Sequence, residues 1–156
     1  MTNGISHVAR IIFMTCLALL NNGCSFWSNQ VELKTVVIDT AADANDNTPV
    51  AVDIVAIADA SLVPVVQTLS ATQWFNARAQ LQRDYPGGLQ VWSLELVPGS
   101  RFTADDNPLS GAPAEATLLF ARYRSEGEHR LRLDKTTALH LQLMADEAVL
   151  APEQGK

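Results

Sequence analysis

Cysteine and histidine are scarce in this sequence. Two cysteines, Cys16 and Cys24, and three histidines occur in 156 residues, and none falls in a CxxC, HExxH or CxxCH arrangement that would build a zinc, haem or dithiol site. Positive charge is also short. The formal net charge of -6 and pI near 4.9 leave no basic surface to neutralise phosphates, which excludes DNA and RNA as partners. The glycines form no GxGxxG or GxxxxGK order and the serines no GxSxG or SxxK pattern, so neither a phosphate cradle nor an activated hydroxyl is in view. No cofactor and no small-molecule substrate is expected. What the chain does have is 47% hydrophobic and 18% charged residues. That balance supports one compact domain with a core, and a role in binding or structure ahead of catalysis.

The apolar run Ile11 to Leu20 follows Arg10 and is only ten residues long. A membrane-spanning helix needs roughly 20 apolar residues, so the run reads as a processed export signal. It ends in Asn21-Asn22-Gly23-Cys24, and over residues 1–24 it resembles a bacterial lipoprotein signal. That resemblance implies diacylglycerol on the Cys24 thiol, cleavage before Cys24 and acylation of the new amino group. Several acyl chains anchor firmly, because each buried CH₂ contributes about 0.8 kcal/mol. Asn21 stands where such signals favour leucine. Ser25 rather than Asp after the cysteine implies sorting to the outer membrane. The competing reading is an ordinary secreted protein with Cys24 free or paired to Cys16, but Cys16 would leave with the signal. Residues 1–23 are thus a signal peptide, 24–30 a lipidated tether, 31–146 the domain and 147–156 a flexible tail.

Val31 to Thr40 and Val50 to Ala58 read as strands. The polar stretch Ala41 to Pro49 between them is too short for a parallel crossover, so an antiparallel hairpin is expected. A helical period follows from Ala60 to Tyr85, with Ser70 or Thr72 as cap, Pro64 in a first turn and Tyr85-Pro86-Gly87-Gly88 as a stop. Strands resume at Leu89 to Val97, Ala116 to Tyr123, His129 to Leu133 and Thr137 to Ala145, with residues 99–114 a long surface loop. About six strands with a helical insertion after the second make the fold mainly β, a β-sandwich.

Each candidate for chemistry has a plainer alternative. Asp43-Ala44-Asn45-Asp46-Asn47 copies half a calcium loop, but Thr48 and Ile54 stand where glycine and glutamate are needed; a solvated turn fits better. Asp105 and Asp106 are adjacent carboxylates in a loop, not a pair placed across a substrate. His140 lies in a strand beside Ala138 and Gln142, facing solvent or the sheet margin, and His129 sits in a turn with Glu128 and Arg130. Arg122, Arg124, Arg130 and Arg132 gather on one hairpin face. Glu126, Glu128 and Asp134 can balance them; otherwise they form a basic patch for an acidic partner. Trp74 and Phe75 cannot both point inward from one helix, since neighbours are about 100° apart.

A lipidated cysteine, a protruding Asp/Asn loop after the first strand, a helical insertion after the second, the Val97-Pro98-Gly99 strand end and the late Leu118-Leu119-Phe120-Ala121-Arg122-Tyr123-Arg124 strand occur in that order. In this the chain resembles the outer-membrane lipoproteins of type VI secretion systems, the TssJ (SciN, VasD) family. The resemblance implies a transthyretin-like β-sandwich without catalytic activity, anchored on the periplasmic face of the outer membrane. It also implies binding to the periplasmic C-terminal domain of a large inner-membrane component through the loop carrying Asp43, Asn45, Asp46, Asn47 and Thr48. A pilotin or chaperone-like lipoprotein for an outer-membrane secretin is the alternative and requires an exposed apolar groove. A periplasmic hydrolase using His140 is a third.

Overall fold

The computed structural model describes residues 29–151; the expected signal, Cys24, most of the tether and the last five residues lie outside the described residues. In chain order the elements are β1 (Thr35–Thr40), β2 (Val50–Ile57), a short helix α1 (Val63–Val66), helix α2 (Ala71–Asp84), β3 (Leu89–Leu96), β4 (Arg101–Ala104), β5 (Ala116–Arg122), β6 (Arg130–Arg132), β7 (Ala138–Leu143) and β8 (Ala148–Leu150). They build two four-stranded sheets, β4-β1-β7-β8 and β3-β2-β5-β6. The fold is mainly β with the helical insertion after the second strand.

The two sheets meet through alternate residues. Val36 and Ile38 of β1 with Leu139, Leu141 and Leu143 of β7 face Val52 and Ile54 of β2 with Leu119 and Ala121 of β5, all buried. Because the sidedness of a strand has period two, the intervening residues of β2 and β5 point the other way. There Val55, Ile57, Leu118 and Phe120 form a second core with Leu62, Val66, Ala71 and Trp74 of the helical segment. The central strands β2 and β5 of the second sheet are therefore buried on both faces over most of their length, which is why Ala116 to Phe120 reads as a continuous buried run; such runs are typical of strands covered on both sides. Trp74 is fully buried and stacks on Phe120 at 5.0 Å, whereas Phe75 is half-buried.

One polar group fastens the helix to this sheet. Asp53 of β2 is 0% exposed, and its carboxylate accepts from Trp74 Nε1 at 2.8 Å, Arg78 at 2.6 Å and Ser93 Oγ at 2.7 Å. A buried charge is tolerable only when paired and hydrogen-bonded, and these donors from α2 and β3 meet that condition. Ser70 caps α2 in a capping box with Gln73, satisfying otherwise unpaired N–H groups.

Three expectations from the sequence change. β1 and β2 do not pair; each belongs to a different sheet, and residues 41–49 carry the chain across the sandwich. A connection of that length can either return beside its own strand or step roughly 10 Å to the facing sheet, and the alternating pattern is the same in both cases. The stretch 99–114 is not all loop: β4 lies within it and pairs antiparallel with β1 from Val36↔Ala104 to Asp39↔Arg101. Four residues are too few for a period to register. The domain does not stop at residue 146, since β8 pairs with β7 inside the stretch read as a flexible tail.

Strand directions sort the connections between two ends. Those joining β1 to β2, β3 to β4, β5 to β6 and β7 to β8 share one end, stitched by Asn45 N to Ala145 O at 2.8 Å and Gly99 N to Thr40 O at 3.0 Å. The chain enters at the opposite end, where Ala114 N donates to Asn29 O at 2.8 Å and Val31 N to Ala112 O at 2.9 Å.

Candidate functional site

Loop 41–49 owes its shape to three consecutive residues with positive φ, Asn45 (49°), Asp46 (56°) and Asn47 (58°). Left-handed backbone is disfavoured for most L-residues and best tolerated by Asn and Asp, so the Asn-Asp-Asn triplet is a conformational requirement of the turn. Asn45 is only 6% exposed. Its Nδ2 donates to Thr48 Oγ1 at 2.9 Å and Pro49 O at 3.0 Å, and its Oδ1 accepts from Arg124 N at 2.7 Å. Thr48 Oγ1 in turn donates to Asn45 O at 2.6 Å. Ala44 is fully buried as part of the inter-sheet core.

The five loop residues singled out in the sequence therefore divide. Asn45 and Thr48 spend their polar groups within the loop and, through Asn45 Oδ1, on the Arg124 N–H, while Asp43, Asp46 and Asn47 are exposed. Asp46 has one side-chain neighbour of opposite charge, Arg124 at 3.4 Å, and both are well exposed; such pairs contribute little. The arrangement is a fixed, solvent-facing loop on a locked base. It presents hydrogen-bond acceptors and has no nucleophile or base poised for chemistry.

The neighbouring turns were not legible as part of this site. Ser125 Oγ donates to Asp146 O at 3.1 Å and Tyr123 OH to Glu147 O at 2.8 Å, tying the β5–β6 and β7–β8 connections together. Burial, with Asp146 and Glu147 nearby, pushes the Tyr123 hydroxyl well above its ordinary pKa, so it stays a donor. Tyr123 also packs on His129 at 4.9 Å between ring centres. Exposed Asp43, Glu126, Asp146 and Glu147 lie at this end beside the Asp46–Arg124 and Glu128–Arg130 pairs and exposed Arg122, so it carries both signs of charge.

The remaining sequence candidates lie elsewhere or pair off. Asp105 and Asp106 are exposed on the β4–β5 connection at the opposite end. Among the described residues no group of three or more His, Cys, Asp or Glu is placed to hold a metal ion. His140 Nε2 and Arg101 both reach Asp39, at 2.8 and 2.9 Å, stapling β7 and β4 to β1. The hydrogen bond from His140, followed by the charge of Arg101, holds the Asp39 carboxyl below its ordinary value. Of the four clustered arginines, Arg130 pairs with Glu128 at 2.9 Å, Arg132 with Asp134 and Arg124 with Asp46; Arg122 lies instead over Phe75. No helix among the described residues is long and apolar enough to cross a membrane.

No protein-family model matches the chain, and no curated protein matches it in sequence. Solved structures do match in fold. A chain of the structure described as the T6SS protein TssM C-terminal domain from EAEC aligns with a TM-score of 0.56 at 16% identity, covering 76% of this chain and 96% of that one. The T6SS lipoprotein TssJ1 from Pseudomonas aeruginosa aligns with a TM-score of 0.53 at 15% identity, over 78% of this chain and 96% of that one. Serratia marcescens Lip, a membrane bound component of the type VI secretion system, aligns with a TM-score of 0.52 at 10% identity, over 76% and 96%. At these identities the likeness is one of fold, and the fold is that of the TssJ lipoproteins.

Proposed function

We propose that this chain is a non-enzymatic lipoprotein of a type VI secretion membrane complex. Cys24 anchors it to the periplasmic face of the outer membrane, and it binds the periplasmic domain of a large inner-membrane component. Residues 1–23 are removed as a signal peptide and residues 24–30 form the tether. The fold shared with proteins described as secretion-system lipoproteins supports this reading. So does the lipoprotein-like sequence around Cys24.

The observation that carries the proposal is the opposition of the two ends. The chain enters the domain at residues 29–34, and loop 41–49 lies at the far end of β1. Six strand residues at about 3.3 Å each separate the two by roughly 20 Å. A domain tethered by its entry end therefore holds Asp43, Asp46 and Asn47 away from its own membrane, towards a partner reaching across the periplasm.

Co-purification tests it. A C-terminally tagged chain solubilised from native-host membranes is expected to bring down a large inner-membrane protein, and a variant with Asp43, Asp46 and Asn47 changed to Ser, Ser and Gly is expected to lose it. Asn45 and Thr48 are left intact so that the loop keeps its base. Equal recovery with both chains, or recovery of an outer-membrane secretin instead, overturns the proposal.

A further inference from the structure

The helix-facing side of the second sheet is ordered in rows by strand register. One row holds Phe120, Asp53 and Ser93 across β5, β2 and β3, and the next towards the loop end holds Arg122, Ala51 and Glu95. Trp74 and Arg78 of α2 cover the first row through Asp53 and Phe120. The second row lies beyond them, between Phe75 and the base of loop 41–49. Its central residue is the small Ala51. A hollow of about 340 Å³ opens between Thr48, Pro49, Glu95 and Arg122, and at Ala51 and Glu95 it adjoins a second of about 280 Å³ walled by Phe75 and Arg78.

Arg122 stands apart from the other arginines here. Arg78, Arg101, Arg124, Arg130 and Arg132 each pair with a carboxylate, and Arg83 donates to Gln80. Among the described residues the Arg122 guanidinium has no carboxylate and no side-chain hydrogen bond. Its guanidinium carbon lies 5.7 Å from the Phe75 ring centre, with Arg78 on the same ring at 4.8 Å. A guanidinium held over an aromatic ring keeps its N–H groups for an incoming group, and its planar fork matches a carboxylate with two parallel hydrogen bonds. On a chain of net charge -6, an unneutralised cation in a cleft selects for negative charge.

We propose that this cleft receives an aspartate or glutamate side chain of the protein partner, with Arg122 as its receptor and Phe75 and Ala51 as the apolar wall and floor beside it. The proposal rests on the partner-binding reading above and extends the contact from loop 41–49 onto the helix-side face. Glu95 lines the same hollow from the other end of the row, its backbone two strand spacings or about 10 Å from that of Arg122. It repels a second acid there, so the acid enters at the Arg122 end.

Two measurements on the chain solubilised from membranes test it. In the first, arginine Nε–Hε resonances are followed while N-acetyl-aspartate is added: a saturable shift confined to Arg122 is expected, and no selective shift overturns the proposal whether or not a partner is ever found. In the second, co-purification of the inner-membrane protein is compared among variants. Arg122→Glu is expected to lower recovery by about tenfold or more, as reversal of a contacting charge does. Ala51→Leu, which fills the cleft, is expected to lower it as well, and Arg122→Lys to retain a substantial part. Each variant must keep the native unfolding midpoint. If the triple loop variant loses the partner while Arg122→Glu and Ala51→Leu keep it, the partner-binding reading stands and the cleft is refuted. If the native chain recovers no inner-membrane protein, that reading fails, and the resonance shift alone decides for or against an acid-binding cleft.

Discussion

Replacing Asn45 tests whether the loop is fixed by its own side chains. Asn45→Ala removes both Nδ2 hydrogen bonds and leaves the Arg124 N–H without its 2.7 Å acceptor. An unsatisfied buried backbone group costs about 1–3 kcal/mol. Alanine at a φ of 49° adds about 1 kcal/mol for left-handed backbone. The expected total is about 3 kcal/mol. Asn45→Gly meets the backbone requirement but loses the side-chain bonds, so about 2 kcal/mol is expected. Asn45→Asp keeps an acceptor for Arg124 N but sets a largely buried carboxylate oxygen against the Thr48 and Pro49 oxygens, so a cost of about 3 kcal/mol, close to that of alanine, is expected. Urea unfolding, with a slope of about 1–3 kcal/mol/M in small domains, separates all three variants from the native chain. A native-like midpoint for Asn45→Ala would refute the claim that Asn45 builds the loop, and would return it to the residues available for a partner.

Asp53→Ala is expected to destabilise the domain by about 3 kcal/mol, at the low end for a broken buried pair because the Arg78 side chain is 34% exposed and finds water; thermal or urea unfolding reads this directly. Ser70→Ala removes the capping bond to Gln73 N and is expected to cost about 1 kcal/mol, measured the same way. The Asp39 carboxyl is held below 3.8 by His140 and Arg101; its stabilising contribution is present above that value and lost as pH falls through the lowered folded value. Asp39→Asn should flatten the acid limb of stability against pH below about 4, read from urea unfolding across that range. Cys24→Ser is expected to move the chain from the membrane pellet to the soluble periplasmic fraction on cell fractionation, and retention in the pellet would sink the anchoring claim.

The alternation in β2, β3 and β7, the unbroken apolar run of β5 and the 3.6-residue period of α2 were readable because each is long enough to register. Sheet membership was not. β1 and β2 look like hairpin partners by length and pattern, and only the left-handed triplet Asn45-Asp46-Asn47 hints that the connection steps between sheets. Asp53 alternates with apolar Val52 and Ile54 in the sequence. Its burial depends on Trp74 and Arg78, more than twenty positions away, and a single charged residue in a strand carries no local sign of such partners. The same holds for β4 and β8, which are short and exist through pairing with β1 and β7. In the loop, the residue types did not separate the roles, because the Asn and Asp that favour turns are the same residues that offer acceptors to a partner.

Site-specific photo-crosslinking in native-host membranes tests the central claim most directly, with the crosslinker placed at Asn47 at the loop end or at Asp106 at the entry end of the same domain. An adduct with a large inner-membrane protein from Asn47 and none from Asp106 is the expected result. An adduct from Asp106 alone, or none from Asn47 in cells that assemble the complex, contradicts it.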